Sequence, residues 1–138
     1  MANSIYPIFK QALMKACTLV SLNGSTTNGP WVALVDTGAY TYATGHDFYN
    51  DLAGVIGTDQ NIVSPTVVGR KFDGCNVTFT AVTTPTSIEA LVIYRKNTGA
   101  NTTWRLVLFE NSSVTGLPVT PNGGDITISW NASGIFDL

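Results

Sequence analysis

The sequence has 138 residues, of which 44% are hydrophobic and 12% are charged, and 7 Lys and Arg against 9 Asp and Glu give a formal net charge of −2. This length and apolar content suit one folded domain with a core and exclude a disordered chain. Basic residues are too few to hold a phosphate backbone, and no apolar run is long enough for a membrane-spanning helix. We therefore expect neither a nucleic acid nor a membrane as a partner. Thr, Asn, Ser and Gly must supply the polar surface, which favours strands and turns.

The first 22 residues carry the strongest helical pattern. Asn3 or Ser4 can cap a helix and Pro7 is tolerated in its first turn, so a helix is predicted over residues 3–21, ending at Asn23-Gly24. Its apolar positions recur at helical spacing: Ile5, Ile8, Phe9, Ala12, Leu13, Ala16, Leu19 and Val20. The single domain is thereby divided into an N-terminal helix (1–22), a polar connector (23–30) and a β-domain (31–138).

The apolar face of such a helix needs a partner, because helices in proteins gain most of their stability from the packing of that face. That partner is either the β-core or another subunit. The residues predicted to make the contact are Ile5, Phe9, Leu13 and Ala16.

The next part of the chain shows short strands separated by turn residues. Residues 31–36 are apolar almost throughout, which predicts a strand buried on both faces. A long loop with a helical turn near residues 47–52 follows. A weak strand over residues 58–72 is interrupted by Pro65, and after a turn at Asp73-Gly74 an alternating strand is predicted over residues 75–82.

The strongest strands are residues 87–95 and 104–110, and the polar loop between them predicts an antiparallel hairpin. The stretch Pro121-Asn122-Gly123-Gly124 is a turn before a strand in which Ile126, Ile128 and Trp130 alternate toward the core. A last edge strand is expected at residues 134–138. The fold class is therefore mainly β: an antiparallel β-sandwich or partly open barrel with one N-terminal amphipathic helix.

Candidate catalytic and metal sites are few. The lone histidine, His46, has Asp47 beside it, but no nucleophile motif accompanies it, so a structural role is predicted. Cys17 and Cys75 are read as small buried hydrophobes, and with His46 they lack zinc-ligand spacing. The Gly-rich turn at residues 121–124 has no Lys and leads into a strand, unlike a phosphate loop. We expect no enzyme activity, no metal and no cofactor.

An aromatic cluster stands out in the long loop, and we call residues 40–49 the aromatic loop. Two alternatives remain open from the sequence. The cluster either forms a recognition surface that stacks on a sugar, or anchors the loop to the sheet through burial of its rings. Its members are Tyr40, Tyr42, Phe48 and Tyr49.

Four segments together resemble a family of small structural proteins encoded by tailed bacteriophages. They are WVALVDTGAYTYATGHDFYNDL, VVGRKFDGCNVTFTAV, SIEALVIYRKNTG and RLVLFENSSVTGLPVTPNGGDITISWNASGIFDL. The resemblance covers nearly the whole chain and is most specific in GLPVTPNGGDITISW together with the preceding EALVIY and RLVLF strands. It implies an amphipathic helix followed by a β-domain, and it provides no catalytic residues.

The resemblance implies a virion structural protein, assembled in the cytoplasm of the bacterial host. The first expectation is a capsid decoration (cement) protein that binds and stabilises the head shell, with the major capsid protein or other virion proteins as partners. A homo-oligomer is also expected, as is common for small β-domains in symmetric particles. The alternative is a neck or tail component, or a host-recognition module that binds a glycan through the aromatic loop.

Overall fold

A computed structural model describes residues 3–15, 17, 20–24, 26–112 and 114–138. These residues form ten strands and one α-helix. In chain order they are β1 (Ser4–Ile5), α1 (Pro7–Met14), β2 (Pro30–Val35), β3 (Val55–Asn61), β4 (Thr66–Val68), β5 (Lys71–Asp73), β6 (Val77–Phe79), β7 (Ala90–Arg95), β8 (Arg105–Glu110), β9 (Ile126–Ile128) and β10 (Phe136–Asp137). Short 3₁₀ helices occur at Tyr49–Asp51, within the predicted helical turn, and at Asn101–Thr103.

The strands form three antiparallel sheets, which confirms the predicted mainly β class. The largest has the order β1-β8-β7-β2-β3, and two small sheets have the orders β10-β5-β4 and β6-β9. Buried residues of all three sheets join one core, together with Phe9 of α1 and Leu22. The architecture is that of an open sandwich, as expected when sheets bury one another's apolar faces.

The centre of the large sheet is the predicted hairpin. β7 and β8 pair with Ile93 opposite Leu108, and β2 lies on the other side of β7. Every residue of β7 is buried, as is every residue of β2 except Trp31. Because side chains of a strand alternate between two faces, burial at consecutive positions means that both faces of this sheet are covered.

The N-terminal segment corrects the predicted helix over residues 3–21. Ser4 and Ile5 form a strand on the outer edge of β8, opposite Phe109 and Leu108, and the helix begins only at Pro7. Pairing with a distant strand overrides the local helical periodicity here. α1 ends at Met14, and the Cys17 amide donates to the Ala12 carbonyl at 3.0 Å, which closes the last turn. The N-terminal segment and the β-domain thus share one core.

The weak strand predicted over residues 58–72 is three strands. The turn between β4 and β5 lies at Gly69-Arg70, before the predicted turn at Asp73-Gly74. Gly69 has φ +62°, a left-handed conformation that glycine adopts without the steric cost of a Cβ. The chain therefore turns between β4 and β5 at a glycine, which can adopt this conformation.

The segment 125–130 follows its prediction in part. Ile126 and Ile128 are buried and the strand ends at Ile128. Trp130 is half-buried, and its indole N–H donates to the Cys75 carbonyl at 2.9 Å. Cys75 and Cys17 are both free and exposed, so the prediction that they are buried is wrong. The expected final strand is present as β10, at the edge of its sheet.

Candidate functional site

The first half of the aromatic loop packs against the protein's own core. Tyr40 is buried, and its hydroxyl lies 2.7 Å from the Tyr6 hydroxyl and 2.8 Å from Nδ1 of His46. The Tyr42 ring lies 5.0 Å from that of Tyr6 and 5.5 Å from that of Phe109. These contacts correspond to the anchoring alternative, because the ring faces are used within the chain.

The second half of the aromatic loop lies against the start of β8. Phe48 pairs with Arg105 as an isolated bridge, and the Arg105 guanidinium lies 4.9 Å from the Phe48 ring. Tyr49 packs its ring edge-on against Tyr94 at 4.7 Å and Trp104 at 5.3 Å. The four aromatic residues of the loop are therefore divided between two clusters rather than forming one surface.

A carboxylate lies beneath the second cluster. Tyr49 and Tyr94 each donate a hydroxyl hydrogen bond of 2.8 Å to Oδ2 of Asp59. Burial raises the pKa of Asp59, against the lowering effect of the two hydroxyls and of Lys96. Burial also raises the pKa of both tyrosines. The tyrosines therefore stay protonated and act as donors.

His46 and the acidic residues beside it make their polar contacts within the chain. Asp47 pairs with Arg105 instead of orienting the His46 ring, which contacts Tyr40. Burial alone would raise the pKa of Asp51, but hydrogen bonds from the backbone N–H of Asp47 and Phe48 lower it. Within the described residues, no group of three or more His, Cys, Asp or Glu side chains could hold a metal ion.

The residues predicted to form an interface occupy different environments. Phe9 is 1% exposed and belongs to the core, so little of its surface is available to a partner. Ile5 is half-buried in β1, and Leu13 is half-buried in α1. Ala16 lies outside the described residues.

Leu13 lines an apolar groove between α1, the segment 20–23, the β4–β5 hairpin and β10. The groove has a volume of about 320 Å³. Its apolar lining consists of Phe9, Leu13, Val20, Leu22, Val67, Phe72, Phe136 and Leu138, with Arg70 and Lys71 also present. Val67 is 52% exposed, and next to it in β4 Val68 is 75% exposed. An exposed apolar surface of this kind marks a candidate contact with another molecule.

A second surface lies at the end of the sheet where β2 and β8 begin and β7 ends. We call it the tryptophan cleft; it is lined by Thr26, Thr27, Trp31, Lys96, Asn97, Thr98, Gly99 and Trp104 and has a volume of about 500 Å³. The Lys96 ammonium lies 4.0 Å from the centre of the Trp31 ring and 4.8 Å from that of Trp104. The tryptophan cleft was not predicted from the sequence, although both tryptophans stand at the start of predicted strands. In the antiparallel sheet these two strand starts lie at the same end.

Both indole rings of the cleft are held by their own loops. Trp31 donates its Nε1–H to the Thr26 carbonyl at 2.8 Å, and Trp104 donates its Nε1–H to the Gly99 carbonyl at 2.9 Å. Trp104 also stacks on Tyr94 with ring centres 5.8 Å apart. The orientation of both rings is therefore fixed by contacts within the chain.

No helix within the described residues is long and apolar enough to cross a membrane. Comparisons with protein-family models, with curated proteins and with solved structures found no match to this chain.

Proposed function

We propose that this chain is a structural protein of a tailed-bacteriophage virion, a capsid decoration protein that binds and stabilises the head shell. The resemblance of residues 31–52, 67–82, 87–99 and 105–138 to such proteins supports the virion role. The low charge and the sandwich architecture agree with a protein that acts by binding other proteins.

One observation carries the decoration role: the apolar groove lies beside an exposed strand edge. β4 is the last strand of its sheet, and its residues are all exposed. β4 has three residues and follows Pro65, so the edge that it leaves free for pairing is short. The outer edge of β8, in contrast, is covered by β1 and by Phe48.

The proposed contact joins these two features. A strand from a shell subunit adds to the free edge of β4, and its apolar side chains enter the groove. Lys71 at the start of β5 pairs with an acidic group at the rim of the contact, while Arg70 already pairs with Asp137 at 3.3 Å. A protein that binds only the assembled lattice stabilises that lattice by mass action.

The first experiment counts copies in purified particles of the phage that encodes the chain, by quantitative gel or mass spectrometry. The expected copy number is comparable to that of the major capsid protein. A copy number that matches a single ring would instead assign the protein to the neck or tail and overturn the decoration role.

The second experiment tests the contact with shells that lack the protein. Val67→Lys combined with Val68→Lys places two charges on the β4 edge and is expected to abolish co-sedimentation with the shells. Val63→Lys is the matched control, since Val63 is 57% exposed but does not line the groove. Equal sedimentation of both variants would contradict the contact at β4. Sedimentation velocity of the same variants tests whether β4 also joins copies of this chain in a homo-oligomer.

A further inference from the structure

We propose that Asn23 is a site of spontaneous deamidation, at which the folded chain converts a neutral carboxamide into a carboxylate. Asn23 is exposed and lines the apolar groove. The reaction therefore places a negative charge beside the surface that is proposed to bind a shell subunit. The chemistry at Asn23 does not depend on the decoration role, whereas its effect on shell binding rests on that proposed function.

The reaction joins the side chain of an asparagine to the backbone nitrogen of the next residue. The Gly24 nitrogen loses its proton to water and forms a bond with Cγ of Asn23, and the carboxamide nitrogen takes up a proton and leaves as ammonia. Water then opens the cyclic imide. Hydrolysis at the side-chain carbonyl gives aspartate, and hydrolysis at the main-chain carbonyl gives isoaspartate. Glycine favours ring closure because no Cβ hinders the approach of its nitrogen.

The sequence has three Asn-Gly dipeptides, which begin at Asn23, Asn28 and Asn122. The local chemistry is the same in each, because glycine always follows the asparagine. The dipeptides differ in how firmly the rest of the fold holds the glycine nitrogen and the asparagine side chain. The structure therefore distinguishes sites that the sequence alone leaves equal.

Asn122-Gly123 is held in a hydrogen-bonded turn. The Gly123 N–H donates to the Val82 carbonyl at 2.9 Å. Oδ1 of Asn122 accepts from the Gly124 N–H at 3.0 Å, as asparagine often does in turns. Both bonds must break before the Gly123 nitrogen can reach Cγ of Asn122, so this dipeptide is protected.

Asn28-Gly29 is fixed beside the start of β2. Gly29 is buried, and its carbonyl accepts from the Lys96 N–H at 2.9 Å. The Asn28 carbonyl oxygen packs so closely on Gly24 that a Cβ added at Gly24 would collide with it. A buried peptide in this position needs local unfolding before it can rotate into the geometry of ring closure.

No hydrogen bond to the described residues restrains Asn23-Gly24. The dipeptide lies outside the helix and the strands, and the Asn23 side chain is exposed. Within the described part of the chain, neither this side chain nor the Gly24 N–H has a hydrogen-bond partner. Exposed connecting segments are also where local rearrangement costs least. Asn23 is therefore the asparagine that the fold leaves reactive.

The product charge lies in the same groove as two cations. Arg70 and Lys71 line the groove together with Asn23. Arg70 pairs with Asp137, whereas Lys71 forms no salt bridge with the described residues. A carboxylate at position 23 competes with an acidic group of the shell for Lys71, so deamidation weakens the proposed contact as the protein ages.

The chemistry is tested by incubating the purified full chain at pH 8 and locating deamidation by peptide mass spectrometry with fragmentation. In the folded chain, Asn23 should react at least about tenfold faster than Asn122, the factor expected from opening the hydrogen bonds at Asn122. In urea, which unfolds the chain, the two should react at similar rates. Equal rates in the folded chain, or a faster reaction at Asn122, would overturn the proposal.

Asn23→Gln is the variant that blocks the reaction, because ring closure from the longer side chain is slower. Its peptide should stay unmodified while the rate at Asn122 is unchanged. Gly24→Ala is unsuitable, since the added Cβ would meet the Asn28 carbonyl oxygen. A mass change that persists in the Asn23→Gln peptide would assign the reaction to another residue and contradict the site.

The effect on binding is tested by co-sedimentation with shells that lack the protein. Asn23→Asp should weaken binding by about twofold to fivefold, the size of one exposed ion pair. Asn122→Asp adds the same charge outside the groove and should leave binding unchanged. Equal binding of the two variants would overturn the effect of deamidation on the contact. Absence of shell binding by the unmodified chain would overturn the proposed function, and with it this effect, but not the deamidation.

Discussion

Tyr94 donates its hydroxyl hydrogen to Oδ2 of Asp59 over 2.8 Å, so a carboxylate buried against the central strand of the sheet has a neutral partner. Tyr49 from the long loop donates to the same oxygen. This shared acceptor joins the loop to the sheet by a polar contact in addition to the ring packing.

Tyr94→Phe is expected to lower the free energy of unfolding by about 1.5–3 kcal/mol at pH 8, the usual range for a hydrogen bond to a charged group. The pKa of Asp59 is raised by burial, and loss of a donor raises it further. A carboxyl whose pKa is raised on folding favours the folded state at low pH, and this contribution is lost as the pH rises. The cost of the substitution should therefore be smaller at pH 4, which urea unfolding at both pH values measures.

Tyr42→Phe is the matched control for that comparison, since the Tyr42 hydroxyl makes no hydrogen bond to the described residues while its ring packs on Phe109. It should change the stability by less than about 0.5 kcal/mol. Equal costs for the two variants would contradict the role of the Asp59 contact.

Glu110→Gln is expected to reduce the pH dependence of stability. Burial raises the pKa of Glu110 to about 7. The Asn3 amide donates to its Oε1 at 3.1 Å, and Lys10 and Asp137 line the same recess. The stability that the protonated Glu110 carboxyl contributes is fully present below the pKa it has in the unfolded chain. This contribution is lost as the pH rises through about 7.

Between pH 5 and pH 8 the free energy of unfolding of the variant should therefore rise by about 1–2 kcal/mol relative to that of the wild type. The difference is no larger because solvent screens the charge of a half-buried group. Guanidinium unfolding at the two pH values measures the difference. Parallel pH profiles for variant and wild type would show that Glu110 does not titrate differently in the folded state.

Phe9→Ala is expected to cost about 3–5 kcal/mol, because it leaves a cavity in the core. Phe9→Leu should cost less and keeps the test readable if the alanine variant fails to fold. Met14, 82% exposed on the same helix, is the control; Met14→Ala should be within about 0.5 kcal/mol of the wild type. Thermal unfolding compares them, and a mild effect at Phe9 would mean that the helix is not part of the core.

Gly54→Ala is expected to destabilise the base of the long loop by about 1–3 kcal/mol. Gly54 has φ +61°, and a Cβ there would lie 2.7 Å from the Ala39 Cβ and 3.0 Å from the Asp36 carbonyl oxygen. Gly45→Ala is the matched control, because a Cβ added at Gly45 would have no neighbouring atom within 4 Å. Equal stabilities of the two alanine variants in urea would contradict the close approach.

The central hairpin could be predicted from the sequence because residues close together in the chain determine it. Residues 90–95 and 105–110 are rich in branched and aromatic side chains and are close in the chain, so composition and a short polar loop determine their pairing. Ser4-Ile5 could not be predicted, because its strand exists only through pairing with Leu108 and Phe109, far away in sequence.

The candidate site was harder to predict for a similar reason. Trp31 and Trp104 each looked like an ordinary strand residue, and only the order of strands in the sheet brings them to either side of Lys96. The aromatic loop, in contrast, was visible as a cluster of rings in sequence, but sequence proximity does not determine whether rings face solvent or core. The packing of Tyr40 and Tyr42 on Phe109 determines it.

The pairing of β1 with β8 has a consequence for folding during synthesis. Asn3 donates a hydrogen bond to Glu110 across a separation of 107 residues, so β1 cannot pair until β8 has been synthesised. Closing so long a loop is slow compared with forming the β7–β8 hairpin, because the entropy of the intervening chain must be lost first. We expect the hairpin to act as an early template and β1 to dock late. The docking of β1 therefore follows the formation of the β7–β8 hairpin.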